Sequence, residues 1–170
     1  AGIFQEIDYS KIGVKIKNGL ETDFINTIET WNPDLIAFSV QSPTYDLGVE
    51  LSRLAKNKFG DEIKIVFGGI HITLDYNNIF REESIDYFCV GEGELALLEL
   101  CKNIEENRPL TDIKNIWYKK DGRLIKTGLR PPVDLNSLPN PDWEEFAEYH
   151  QYGPWRGKLV KMALVEFSRV

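Results

Sequence analysis

Residues 65–71 read Ile65-Val66-Phe67-Gly68-Gly69-Ile70-His71, an apolar run that breaks into two glycines and then a histidine. The run has the composition of a buried strand, and the glycine pair falls where that strand should end. Two adjacent residues without a Cβ allow backbone to come into contact with something flat or bulky. In an open α/β sheet, ligands bind at the carboxyl ends of the strands. The pair therefore marks an expected ligand-binding edge. A turn with positive φ would account for one glycine, whereas two together favour a ligand wall.

Working outward, the flanking chain alternates strand and helix. Gly2–Ile7 reads as a short strand, and residues 8–21 are irregular and polar. A helix start at Thr22-Asp23 leads into Phe24, Ile25, Ile28 and Trp31 at helical spacing, and Asn32-Pro33-Asp34 stops it. Leu35–Val40 is a continuous apolar run, as in a strand covered on both faces. Pro43-Thr44 opens a second helix with Leu47, Leu51, Leu54, Ala55 and Phe59 on one face. After the strand 63–67, a short helix is expected around Asp75–Arg81, then a strand over Ile85–Val90. A further helix carries Leu95, Leu98, Cys101 and Ile104 on its apolar side. Short loops between these elements imply right-handed crossovers and a parallel sheet.

Downstream the pattern changes. Ile116–Lys120 and Arg123–Lys126 flank Asp121-Gly122, a two-residue hairpin signal. Residues 127–157 read as connecting chain held down by Trp143, Phe146, Tyr149 and Trp155, and Val160–Phe167 as the first strand of a further domain. The expected organisation is an α/β domain over residues 1–112, a β-hairpin over 113–127 and a linker over 128–170. The abrupt ends at Ala1 and Val170 suggest a piece of a longer protein.

Composition narrows the function. The chain has 170 residues, 42% hydrophobic and 28% charged, enough for a real core. A net charge of −7 and the absence of a basic stripe argue against nucleic acid as a partner. Lys56, Lys58 and Lys64 stand among acids and read as solvated helix surface. Cys89 and Cys101 have neither zinc nor disulfide-framework spacing and read as buried thiols in a reducing cytoplasm. No stretch reaches the roughly 20 apolar residues of a membrane span.

Three strand exits should lie side by side. The first is Ser39-Val40-Gln41-Ser42-Pro43-Thr44, the second Gly68-Gly69-Ile70-His71, and the third Gly91-Glu92-Gly93-Glu94. Hydroxyls at the first can bind a ligand or cap the next helix, and capping is the simpler reading for that stretch alone. At the third, glycine before a helix suits an anion, but Glu92 and Glu94 would repel a phosphate, so a dinucleotide pyrophosphate is not expected there. His71 reads as a loop residue in a structural or ligand-contact role rather than a metal ligand. Catalytic and metal-ligating sets are not found, so the chain reads as a binder.

These pieces, in this order, resemble the cobalamin-binding domain that precedes the catalytic domain of cobalamin-dependent radical S-adenosylmethionine (radical SAM) enzymes. The similarity runs through Pro33–Ser39, Ser42-Pro43-Thr44, Val66–His71, Asp86-Tyr87, Gly91–Glu94, the Tyr118…Asp121-Gly122 hairpin and Leu138-Pro139-Asn140-Pro141-Asp142-Trp143. It implies a flavodoxin-like (Rossmann-like) parallel sheet with helices on both faces. It also implies cobalamin as ligand, held by Ser39, Gln41, Ser42, Thr44, Gly68, Gly69, His71, Gly91, Glu92 and Gly93. The 4Fe–4S cluster and S-adenosylmethionine belong to the domain beyond Ser168-Arg169, within the same polypeptide, in an enzyme that is most often a methyltransferase.

The DxHxxG loop whose histidine ligates cobalt in other cobalamin domains does not occur, so base-off cobalamin without a protein ligand is expected. Gly2–Ile7 matches the family's second strand, which leaves the central first strand unaccounted for. Another placement of Gly2–Ile7, upstream residues, or a partner such as a second copy in a homodimer would complete the sheet. A degenerate domain of the same fold, docking the catalytic barrel without cobalamin, is the alternative. A receiver-like signalling domain lacks its acidic cluster and late lysine here.

Overall fold

The computed structural model describes residues 19–140, 142, 151–156 and 158–162. The expected strand Gly2–Ile7 and the anchors Trp143, Phe146 and Tyr149 lie outside the described residues. The chain divides into two compact units. Residues 19–137 form one, and the described part of the other contains a small hairpin, β6 (Tyr152–Trp155) against β7 (Lys158–Lys161). Trp155, expected as an anchor, is exposed.

The first unit is built on a five-stranded sheet. Its strands are β1 (Leu35–Ser39), β2 (Lys64–Gly68), β3 (Tyr87–Cys89), β4 (Ile116–Lys120) and β5 (Arg123–Ile125), in spatial order 1-2-3-4-5. β1, β2 and β3 are parallel, with Ser39 opposite Gly68 and Phe67 opposite Phe88. The expected parallel sheet is present as β1–β3, and the expected hairpin, β4 with β5, is appended to it through antiparallel pairing of β4 with β3, so it continues the same sheet. Asp121 and Gly122 both have positive φ, 50° and 70°, the conformation that a two-residue hairpin turn demands.

Helices cover both faces. The face with Ile65, Phe67 and Phe88 packs against α1 (Leu20–Trp31), α2 (Tyr45–Phe59) and α3 (Ile70–Ile79) through Ile28, Val49, Ala55 and Ile72. The opposite face, with Val66, Cys89 and Ile116, packs against α4 (Glu94–Glu105) through Ala96 and Leu100. Phe67 is fully buried, with Phe38 at 4.8 Å and Tyr45 edge-on at 6.3 Å between ring centroids. Gly48 lets α2 lie close: a Cβ there would stand 3.1 Å from Val40 Cγ1 and 3.2 Å from Phe67.

Several expectations shift. α3 begins at Ile70 instead of near Asp75, and Asp75 is its kink (φ −124°, ψ 29°). α4 is rotated from the expected face: Ala96, Leu100 and Asn103 are buried, while Leu95, Leu98 and Cys101 are exposed. Heavy side chains at helical spacing mark a face, but small Ala96 is what fits against the sheet. Trp31 and Leu47 are likewise exposed instead of facing the core. Lys56 is no solvated surface residue. Its ammonium reaches down to donate to the Ile63 carbonyl at 3.0 Å and pairs with Asp86, whose other role is to accept the Ile65 N–H at 2.7 Å. Among the described residues, no helix is long and apolar enough to cross a membrane.

Candidate functional site

The parallel strands β1, β2 and β3 end together, so their exits form one edge, as the order of the sheet requires. The residues there do different things.

At the first exit, Ser42–Thr44 is a single 3-10 turn preceding α2. Thr44 Oγ1 accepts the Gln41 N–H at 3.0 Å, and the Thr44 N–H reaches the Gln41 carbonyl at 2.9 Å. Gln41 and Thr44 are therefore engaged with each other across the 3-10 turn, and neither side chain caps α2 as the simpler reading of this stretch expects. Ser42 Oγ lies 3.0 Å from His71 Nδ1, linking the first exit to the second.

At the second exit the two glycines separate into two roles. Gly69 has φ 93° and ψ −179°, a region essentially confined to glycine. A Cβ there would stand 2.5 Å from the Val40 carbonyl oxygen and 2.8 Å from Val40 N. Gly69 is thus required by backbone crossing, with the chain turning over β1 into α3. Gly68 is a strand residue whose Cβ would meet Cys89 Cβ at 3.4 Å, ordinary contact. His71 sits in the first turn of α3, not in a loop. Its ring lies 4.5 Å from that of Tyr45, and its N–H bonds the Val40 carbonyl at 3.3 Å. Burial, with Glu82 and Asp46 nearby, pushes the Tyr45 hydroxyl above its ordinary pKa.

At the third exit, Gly91 (φ 82°) is tied to α3 by its N–H bond to Thr73 Oγ1 at 3.0 Å. The loop is held from below by Asn115, which donates to the Glu92 carbonyl at 3.1 Å and accepts from the Arg130 N–H at 2.6 Å. The Glu92 carboxylate accepts the Val133 N–H at 2.6 Å, so it braces the following chain. Gly93 is the N-cap of α4, and a Cβ there would meet Cys89 Sγ at 3.5 Å. Burial pushes the Cys89 thiol up to about 11, which leaves it protonated and unreactive.

Register brings out residues that the motif reading passed over. Ser39 is level with Gly68, whose Cβ would stand 3.4 Å from Cys89 Cβ, and two residues earlier Ala37 is level with Val66. Side chains two apart share a face, so Ala37, Ser39, Val66 and Gly68 all front the α4 side. Ala37 and Ser39 stay exposed there. The result is a floor of small side chains open beside α4 and leading to the C-terminal edge. Ala37 carried no sequence signal of its own. The signal that could have found it is the alternation of β1 combined with the absence of any bulky residue at Ala37, Ser39 and Gly68. On the opposite face, Ile70 and Leu74 in the first turns of α3 are exposed, at 55% and 75%. A flat amphipathic ligand would find polar groups at Ser39, Ser42 and His71 and apolar surface at Ile70 and Leu74.

The model for the B12 binding domain matches residues 2–101. Over 138 residues the chain is 26% identical to an anaerobic magnesium-protoporphyrin IX monomethyl ester cyclase from Synechocystis sp., covering 79% of this chain and 26% of the cyclase. Among solved structures, the cobalamin-dependent S-adenosylmethionine radical enzyme OxsB with aqua-cobalamin and S-adenosylmethionine bound superposes with a TM-score of 0.57 at 21% identity, over 66% of this chain and 16% of that one. The radical S-adenosylmethionine methyltransferase TsrM from Kitasatospora setae, with cobalamin and its 4Fe–4S cluster bound, gives 0.58 at 18% identity, over 71% of this chain and 23% of that one. These likenesses establish the shared fold, and the chain spans about a quarter of the cyclase.

Proposed function

Because the chain belongs to the B12 binding domain family, with more than half its length matched, we propose that it is the corrinoid-binding module of a radical SAM enzyme and holds cobalamin at the C-terminal edge of β1–β3. The observation that carries this placement is the open floor of Ala37, Ser39 and Gly68 beside α4. The nucleotide tail of cobalamin is long, flat at its base and uncharged apart from one phosphodiester. A floor of small side chains with hydroxyls at its rim suits such a group better than a cluster of cations would. Bulky residues at these positions would close the space, as Phe38 and Phe67 do on the other face.

Cobalamin supplies, when bound, a cobalt centre that carries and transfers a methyl group. This chain's residues hold and orient it. Gly68 and Ser39 line the tail, Ser42 and His71 offer polar contacts at its rim, and Ile70 and Leu74 offer apolar surface. Gly91 and Gly93 border the tail at the third exit. Gln41, Thr44, Gly69 and Glu92 act through the backbone: they fix the loops on which these contacts stand. The cofactor is expected base-off, with no histidine of this chain on cobalt, since the DxHxxG sequence does not occur.

The 4Fe–4S cluster, S-adenosylmethionine and the methyl transfer itself are assigned to a radical SAM domain of the same polypeptide. The greater length of the relatives, and the methyltransferase among the structural neighbours, support this. A soluble cytoplasmic enzyme, with no nucleic-acid or membrane partner, accords with the acidic charge and with two cysteines outside any disulfide.

The test is direct. The purified chain is mixed with hydroxocobalamin, desalted, and its visible spectrum recorded. A retained corrin absorption is expected. A colourless protein after mixing at tens of micromolar would instead favour a docking module of the same fold that has lost the ligand.

A further inference from the structure

We propose that Ser42 and His71 form the element that recognises the phosphodiester of the nucleotide tail, a reading that rests on cobalamin being the ligand. The argument begins with how firmly the imidazole is held. Ser42 Oγ is 3.0 Å from Nδ1, Tyr45 flanks the ring at 4.5 Å, and the His71 backbone is bonded to Val40. Tyr45 is itself wedged edge-on against buried Phe67. A surface histidine with only a helical role needs none of this. When Ser42 donates its hydroxyl proton to Nδ1, the ring proton resides on Nε2, and Nε2–H becomes a donor with a fixed direction. Among the described residues Nε2 has no hydrogen-bond partner.

Charge then selects the ligand group. Across residues 39–45 and 68–74, the first two exits, there is no Asp or Glu, and His71 is the one basic side chain. Asp46 and Asp75 lie one residue beyond these stretches, and with Glu82 they act on Tyr45, the ring flanking His71, so the preset N–H rather than an acid-free surround is what favours the phosphodiester. At the third exit stand Glu92 and Glu94, and Glu94 occupies the first turn of α4. A singly charged phosphodiester is repelled at the third exit and meets a preset N–H donor between the first two. The Ser42–His71 bond spans those two exits, so the donor is placed by both strand ends at once.

The experiment compares two corrinoids. Hydroxocobalamin carries the tail and its phosphodiester; diaquocobinamide has the same ring without them. Each is titrated by visible absorbance into the wild-type chain and into His71→Ala, His71→Gln and Ser42→Ala. We expect His71→Ala to weaken cobalamin binding by about 10- to 100-fold, the effect of losing one hydrogen bond to a charged group. Cobinamide binding should stay unchanged. His71→Gln, which keeps an N–H donor, should recover part of the loss, and Ser42→Ala should show a smaller loss in the same direction. Urea midpoints of the variants exclude unfolding as the cause. Cobalamin affinity within twofold of wild type in His71→Ala overturns this inference while leaving the corrinoid module intact. An equal loss for both corrinoids also overturns it, since the pair would then serve the ring. Binding of neither corrinoid by the wild type overturns the corrinoid reading itself.

Discussion

Gly69→Ala is the substitution that separates backbone necessity from ligand contact. At φ 93°, ψ −179° an L-residue is strained by about 1–3 kcal/mol. The added methyl would also stand 2.5 Å and 2.8 Å from Val40 O and N. These are backbone atoms tied into the sheet: Val40 N bonds the Gly68 carbonyl at 2.9 Å, and Val40 O accepts from His71. They cannot swing aside as a side chain would, so overpacking adds about 1–3 kcal/mol. The sum, about 2–6 kcal/mol, is a large share of a domain stability of about 5–15 kcal/mol. Gly68→Ala is the internal control. Its methyl meets Cys89 Cβ at 3.4 Å with no positive φ, and about 1 kcal/mol or less is expected. Urea unfolding of the 170-residue chain, followed by far-UV circular dichroism, reads both. With a slope of about 2 kcal/mol/M, Gly69→Ala should lower the midpoint by about 1–3 M and Gly68→Ala by less than about 0.5 M. Equal midpoints for the two variants would refute the assignment of Gly69 to the backbone crossing.

Ala37→Leu places a branched side chain on an exposed position of the floor, so stability should hold within about 0.5 kcal/mol while cobalamin retention after desalting falls. Iodoacetamide at pH 8 should modify exposed Cys101 and spare Cys89, whose thiol is pushed up to about 11 by burial; intact mass reads one adduct in the native chain and two after unfolding. The Arg53 guanidinium, bonded to Glu82 at 3.1 Å and 2.5 Å, holds that carboxyl below its ordinary value of 4.5. Its contribution is therefore full above the ordinary glutamate range and is lost as pH falls through the depressed folded value. Glu82→Gln should flatten the acid limb of thermal stability below about pH 4.5 relative to wild type, as differential scanning fluorimetry across pH would show.

Much of the fold was legible because strand and helix periods differ. Leu35–Val40 and Ile63–Phe67 are apolar apart from Ser39 and Lys64; helices cover both faces of β2, whereas Ala37 and Ser39 leave one face of β1 open. Asp121-Gly122 specified its turn locally, since both positions need positive φ. The helix faces were less legible. Leu95 and Leu98 suggested one face of α4, but Ala96 and Leu100 turn inward, because what fits against a strand depends on the surface it meets. Lys56 looked solvated, although its ammonium bridges Ile63 and Asp86 across 7 and 30 residues of chain.

From local chemistry alone the chain determined an α/β architecture, three strand exits and the acidic pair at the third. Spacing, composition and the glycine pair contain that information, since each expresses a short-range backbone or charge constraint. Tertiary structure alone decided which glycine serves the backbone and which the floor, because only the approach of Val40 to Gly69 distinguishes them. It alone paired Ser42 with His71, 29 residues apart, and aligned Ala37, Ser39 and Gly68 on one face. Those relations depend on strand register and on the packing of α2 and α3 over the sheet, which no local pattern encodes.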